Sequence, residues 1–198
     1  MSKYDLLVES ELLTKFNKEA LVAIYRSEQI KYAYTQICEI LEAAKIPYIP
    51  LKGALLRAYY PEDYMRTSCD IDILIQEQNL KPAVEKLICN NYTCEKRNYH
   101  DVSLFSPERV HLELHFSIKE NMSKLDAVLK DAWNYASLEK GSCYKFSNEF
   151  FAYHMFAHIS YHFLAGGCGI RALMDIWVMT HKMGITYSSA KELLEKGD

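Results

Sequence analysis

The chain reads as an α/β (α+β) protein: a mixed sheet core with helical segments before and after it. Three observations point there. Residues 69–76 and 110–118 alternate apolar and polar side chains with period two, the mark of half-buried strands. The stretches before residue 46 and beyond residue 123 instead carry apolar residues at helical spacing. With 198 residues, 49% hydrophobic and 25% charged, the chain has the apolar mass for one ordinary core, and disorder is not expected.

Taken in order, residues 10–45 are expected to be helix. Leu12, Leu13, Phe16, Leu21, Ile24 and Tyr25 recur at roughly helical spacing, as do Ile30, Tyr34, Ile37, Ile40 and Leu41. Pro47 ends that run, because the residue before a proline is pushed out of the helical region. Residues 48–51 follow as a short apolar strand, and Gly53 opens a helix over 54–60, closed by Pro61. In 69–76, Ile71, Ile73 and Ile75 point one way and Asp70, Asp72 and Leu74 the other. Residues 80–90 return to helix, with Pro82 in the first turn, where a missing N–H does no harm. Strands are expected at 93–98, 102–105 and 110–118. In the last, Val110, Leu112, Leu114, Phe116 and Ile118 form an apolar face, opposed by His111, Glu113, His115 and Ser117. Helices are expected at 124–136, 147–164, 170–182 and 188–196. The organisation that follows is an N-terminal helical segment (1–46), a core (47–120) and a C-terminal helical segment (121–198). The last segment stops directly after a helical run, so it reads as truncated.

A formal charge of −3 argues against a broad nucleic-acid-binding face, although a local basic pocket for phosphates remains compatible with it. The first ten residues hold no apolar run of signal-peptide length, and no apolar stretch reaches the roughly 18 residues of a membrane span. A cytoplasmic protein without a membrane partner is expected. The six cysteines follow no Cys-x-x-Cys spacing and read as reduced thiols.

The chemistry concentrates on two strands. Residues i and i+2 of a strand share a face about 6–7 Å apart, so Asp70 and Asp72 project together. Glu113 lies on the polar face of the later strand, and if the two strands are neighbours, three carboxylates converge. Hard oxygen ligands in that number favour Mg²⁺ or Mn²⁺. An Asp-x-Asp pair alone is weak evidence, and Asp70 as a turn residue with Asp72 salt-bridged to a lysine is the plain alternative. The company strengthens the metal reading: an apolar strand ending in Lys52-Gly53, a helix, then Arg66 and Ser68 just before the aspartates.

The stretch LKGALLRAYYPEDYMRTSCDIDILI (51–75), followed by HLELH (111–115), resembles the DNA polymerase beta-like nucleotidyltransferase superfamily. It looks most like the branch of uncharacterised nucleotidyltransferases, and it is also similar to abortive-infection toxin nucleotidyltransferases. The resemblance implies a nucleotidyltransferase-type mixed sheet. It also implies a metal-dependent enzyme that moves a nucleoside monophosphate from an NTP such as ATP to a hydroxyl acceptor, releasing pyrophosphate. Asp70, Asp72 and Glu113 would be the catalytic and metal-holding carboxylates. Lys52, Gly53, Arg66, Ser68 and His115 would bind substrate, with Gly53, Lys52 and Arg66 on the phosphate tail. Most superfamily members follow the turn glycine with a hydroxyl residue, whereas Gly53 is followed by Ala54. An inert nucleotide-binding or regulatory module with the same fold is therefore the alternative. The acceptor is expected to be a protein side chain, a sugar or a small molecule rather than a long nucleic acid.

Other residues admit two readings each. Arg66 either meets phosphate and aspartates or forms a structural salt bridge to Asp70 or Glu62, and Ser68 caps the aspartate turn. His111 and His115 flank Glu113 on one face; a zinc hydrolase on His111, Glu113 and His115 is the last-ranked alternative. His154, His158 and His162 fall within about 80° of one helix face, as cleft wall or packing seam ahead of a metal site. Residues 166–169 lack a Walker lysine and read as a turn between helices. Arg171 and Asp175, four apart, are expected to pair.

Overall fold

A computed structural model describes residues 10–196. Helix α1 (Ser10–Ala43) leads into β1 (Tyr48–Pro50), α2 (Lys52–Leu56), β2 (Asp70–Ile75) and α3 (Leu80–Cys89). Strands β3 (Thr93–Arg97), β4 (Asp101–Phe105) and β5 (His111–His115) follow, then α4 (Ser123–Leu129), β6 (Ala136–Lys140) and β7 (Cys143–Phe146). Helices α5 (Asn148–Ala165), α6 (Ile170–Lys182) and α7 (Tyr187–Lys196) close the described chain. The strands form one sheet in the order β3-β4-β5-β2-β1-β7-β6. Pairs β2–β5 and β1–β7 are parallel and the rest antiparallel.

The period-two pattern of β2 divides the core as the sequence implied. Ile71, Ile73 and Ile75 pack against Ile30, Ile37 and Leu41 of α1 and against Ala83 and Leu87 of α3. On the other face Leu74, with Ile49 and Leu51, meets Leu129 of α4, Phe150 and Tyr153 of α5, Met179 of α6 and Leu193 of α7. The aspartates share this second face, so the polar end of β2 opens beneath the C-terminal helices.

The structure departs from the expected elements at several points. Helix α1 buries only its second half. Leu12, Leu13, Phe16, Leu21 and Tyr25 are exposed, because a helix of 34 residues runs about 50 Å and outreaches the short strands beneath it. The helix expected at 54–60 starts at Lys52 and gives way at Arg57 to a single 3₁₀ turn. The helix expected at 124–136 stops at Leu129, and the chain turns back through the hairpin β6–β7. That hairpin adds its strands to the edge of β1, so the sheet runs across the boundary expected at residue 120. Finally, β5 ends at His115, and residues 116–121 leave the sheet toward α4.

Candidate active site

Strands β2 and β5 are neighbours, and their register sets Asp70 beside His111, Asp72 beside Glu113 and Leu74 beside His115. Side chains at paired positions share a face, so Asp72, Glu113 and His115 converge: one ligand atom from each lies within 4.8 Å of the others. His115 Nε2 is 3.0 Å from Asp72 Oδ1 and 3.4 Å from Glu113 Oε2. Lys52 reaches the same Oδ1 with its ammonium at 3.2 Å. It arrives there because β1 runs antiparallel to β2, the Leu51 N–H donates to the Asp72 carbonyl, and α2 starts directly after. Lys52 enters the helix with φ of +36°, a left-handed conformation costly for a residue with a Cβ; the Asp72 ion pair holds its side chain there.

The charges balance one another. Burial raises the cost of the Asp72 carboxylate, but Lys52 and His115 outweigh it and hold its pKa far below the usual carboxylate range. Burial likewise works against the Lys52 ammonium and the His115 imidazolium. Asp72, Glu120 and Glu113 keep Lys52 above its ordinary value, and hydrogen bonds to Asp72 and Glu113 do the same for His115. The His115 hydrogen bond lowers Glu113. Asp70 differs: burial and then the negative charges of Asp72 and Glu113 push its pKa up. Asp70 makes no hydrogen bond among the described residues and lines a cavity of about 160 Å³ between α1 and α2.

This donor set fits a hard divalent cation. Asp72 and Glu113 are close enough to share an ion, with the His115 ring nitrogen beside them; Asp70 stands outside that group of ligand atoms and is repelled by two like charges. His115 is the group that the sequence reading put among the substrate ligands; its ring is buried and spans Asp72 and Glu113.

Three other expected substrate ligands are used elsewhere. Arg66 is buried and forms a fork with Asp175 of α6, Nε to Oδ1 at 2.9 Å and Nη2 to Oδ2 at 2.8 Å, while the Tyr60 hydroxyl donates to the same Oδ1 at 2.6 Å. Its partner is neither Asp70 nor Glu62, since the partner comes from 109 residues downstream. Gly53 serves this fork: a Cβ there would collide with the Arg66 guanidinium. Ser68 accepts a 2.5 Å hydrogen bond from Arg57 Nη2, which also reaches the Arg66 carbonyl through Nη1, so it braces the loop instead of capping the aspartates. Arg171 donates to the Thr67 carbonyl and does not pair with Asp175.

The zinc triad fails on geometry. The three do not form one set of ligand atoms: Glu113 and His115 converge with Asp72, and His111 is outside that group. His111 Nδ1 lies 3.9 Å from Glu113 Oε1, and its ring stands against Phe105. The helical histidines divide. His154 is fully buried against the Phe146 ring, and neither of its ring nitrogens finds a partner among the described residues. His158 is bound through Nδ1 to Glu120 Oε1 at 2.7 Å, and His162 stacks edge-on against it. Sequence reasoning missed Glu120. It sits in a polar run, Lys119-Glu120-Asn121, that looks like solvated loop, and only the tertiary fold sets it against α5. The 166–169 segment is the expected turn, with Gly166 ending α5 and Gly169 starting α6.

A mixed sheet that pairs two carboxylate-bearing parallel strands under a helical layer defines a class, and comparison with solved structures gives that class its members. ANT(2″)-Ia in complex with adenylyl-2″-tobramycin aligns over 86% of this chain and 97% of its own, with TM-score 0.61 and 9% identity. The solution structure of the antibiotic-resistance factor ANT(2″)-Ia aligns over 90% and 89%, with TM-score 0.56 and 10% identity. The Megavirus polyadenylate synthase aligns over 91% of this chain and 39% of its own, with TM-score 0.53 and 14% identity. No curated protein matches the sequence. The fold is thus of the nucleotidyltransferase type. Residues 2–194 match the family described as uncharacterised nucleotidyltransferase, and the chain belongs to that family.

Proposed function

We propose that this nucleotidyltransferase moves a nucleoside monophosphate from an NTP to a hydroxyl acceptor at Asp70, Asp72 and Glu113. The pairing of Asp72 with Glu113 across parallel strands, with Asp70 on the same face, carries the reading. Asp70, Asp72 and Glu113 would hold Mg²⁺ or Mn²⁺, which would neutralise charge at the α-phosphate and lower the pKa of the attacking hydroxyl. His115 keeps Asp72 and Glu113 aligned and offsets their charge while the nucleotide is absent. Lys52, whose ammonium lies against Asp72 next to the Gly53 turn, would neutralise charge on the phosphate tail. Arg66 contributes from behind Gly53 by fixing the turn, not by touching phosphate.

One neighbour is seen with adenylyl-2″-tobramycin and another is a polyadenylate synthase. We carry that over as adenylyl transfer from ATP. With a formal charge of −3, a small molecule, sugar or protein hydroxyl is favoured over a long nucleic acid as acceptor. No described helix is long and apolar enough to cross a membrane; the proposed compartment is the cytoplasm.

A second reading, a nucleotide-binding module without turnover, rests on Ala54 at the position where a hydroxyl would grip phosphate. The purified protein, incubated with Mg²⁺ and each of the four α-labelled NTPs in cell extract, separates them. Label is expected on an acceptor, ATP being the preferred donor, and EDTA is expected to abolish it. Binding of NTP without label transfer or pyrophosphate release supports the module.

A further inference from the structure

We propose that Asp175 of α6 is a positioning residue for nucleotidyl transfer: by fixing Arg66 it sets the Gly53 turn and the segment that delivers Asp70. This rests on the nucleotidyl-transfer reading above. The need for such a device lies in α2. That helix has five residues, no side-chain cap at its start and a left-handed residue, Lys52, in its first position. So short a helix does not hold its own direction, because nucleation costs more than a single turn of hydrogen bonds returns. The segment after it, residues 57–69, consists of two 3₁₀ turns and loop. Whatever stands against this stretch decides where Lys52, Gly53 and Asp70 lie.

Two groups from that segment close on one carboxylate. Arg66 donates to Asp175 through Nε and Nη2, at 2.9 and 2.8 Å, and the Tyr60 hydroxyl adds a third bond at 2.6 Å. Both Asp175 oxygens are used, so the plane of the guanidinium is set from α6. The remaining guanidinium nitrogen, Nη1, is turned to Gly53 and stands where a Cβ on that residue would be. One turn earlier on α6, Arg171 donates to the Thr67 carbonyl at 3.0 Å. Arg57 ties the same loop from within, through the Arg66 carbonyl at 3.1 Å and the Ser68 hydroxyl. Asp70 follows two residues after Ser68. Direct contacts therefore run from α6 to the turn beside Lys52 and to the start of the strand that carries the aspartates.

A brace that served stability alone would not need these charges. Arg66 and Asp175 are both buried, and a buried ion pair loses in desolvation much of what it gains; apolar residues of similar volume often stabilise as well or better. What an apolar contact does not supply is direction. A planar fork bound along one edge presses its third nitrogen on the Gly53 backbone in one place, and Arg66→Lys would keep the charge but not the plane. The fork is thus suited to hold the phosphate turn to the tolerance that transfer requires, where a displacement of about 1 Å costs on the order of a hundredfold in rate.

The test separates activity from stability. Pyrophosphate release from ATP with Mg²⁺ in cell extract is measured for the full chain and its variants, each beside a urea unfolding curve. Asp175→Asn and Arg66→Lys are expected to lower kcat/KM by about tenfold to a hundredfold under conditions where each is folded. The double variant Arg66→Met, Asp175→Leu is expected to regain stability relative to Arg66→Met and yet to stay as inactive; a merely structural pair would regain both. Gly53→Ala combined with Asp175→Asn is expected to lose little more than the worse single variant, since both act through the one Arg66 contact. Wild-type kcat/KM in folded Asp175→Asn, or recovered activity in the apolar double variant, overturns the proposal and leaves the transfer reading in place. Losses that multiply when Gly53→Ala and Asp175→Asn are combined do the same. A wild type that releases no pyrophosphate with any of the four NTPs overturns the nucleotidyl-transfer reading, and the positioning role with it.

Discussion

Arg66 marks the limit of local reading. From the sequence it lies four residues before Asp70 and reads as a phosphate ligand; its charge is committed to Asp175, far along the chain. A buried fork of this kind costs most when half of it is removed. Arg66→Met is expected to destabilise the protein by about 3–5 kcal/mol, and the double variant Arg66→Met, Asp175→Leu by less than Arg66→Met alone. Urea unfolding of the wild type and the two variants measures this; a double variant that loses more than Arg66→Met alone would count against the coupled fork. His154 sets a pH dependence. Burial, then Lys52, His158 and His115, push its pKa well below the ordinary 6.5. The unfolded chain therefore binds this proton at higher pH than the folded one. The stability it contributes is complete above about pH 6.5 and is lost as the pH falls toward its folded value, at up to about 1.4 kcal/mol per pH unit. His158, also lowered, adds loss of the same sign. His115, raised, acts oppositely: its contribution is present below 6.5 and fades as the pH rises through its folded value. Melting temperature followed from pH 7.5 to pH 5 is expected to fall less steeply in His154→Leu than in the wild type; parallel curves would count against the buried neutral ring.

At the scale of elements, what was legible follows periodicity. The alternation of residues 70–73 and of His111–His115 sets apolar residues on one face and polar ones on the other, with Leu74 breaking it only at the end of β2, so both strands and the shared face of Asp72 and Glu113 could be read directly. The hairpin β6–β7 could not. Its residues are mostly exposed on both faces, so no apolar stripe records it, and Leu138, Glu139 and Lys140 are good helix formers. One signal was present: Gly141-Ser142 between two short runs is a hairpin turn of the glycine-first kind. The Glu42 carboxylate accepts from the Ser142 N–H at 2.8 and 3.0 Å, tying the turn to the end of α1, and Tyr48 N–H donates to the Ser142 carbonyl. Gly141 has φ of +58°, and a Cβ there would run into Glu42. Gly141→Ala is expected to cost about 1 kcal/mol or more, from backbone strain and the displaced carboxylate together. Chemical denaturation checks it, and an unchanged midpoint would show that the turn relaxes freely. Glu120 and the Arg66–Asp175 fork were illegible for another reason: each contact joins segments far apart in sequence, and no local pattern marks either partner.

At the scale of the molecule, the sheet separates two tasks. Helices α1 and α3 cover one face, while Asp72 and Glu113 lie on the other with Lys52 of α2 against them. The helical layer braces the candidate site: α6 supplies Asp175, which fixes Arg66 behind Gly53. The central claim is that Asp70, Asp72 and Glu113 are a metal-dependent nucleotidyl-transfer centre, and Asp70 isolates it. Its carboxylate makes no hydrogen bond among the described residues and is repelled by its two neighbours, so it does little for the empty fold. The decisive measurement is therefore Asp70→Asn, assayed by thermal melting with and without Mg²⁺ and ATP and by pyrophosphate release. The account predicts an apo melting temperature equal to or above wild type, loss of the stabilisation by Mg²⁺ and ATP, and at least about a hundredfold less turnover, the kinetic equivalent of a few kcal/mol of lost charge stabilisation. A variant that melts lower without ligand yet still binds Mg²⁺ and ATP and turns over like the wild type would contradict it.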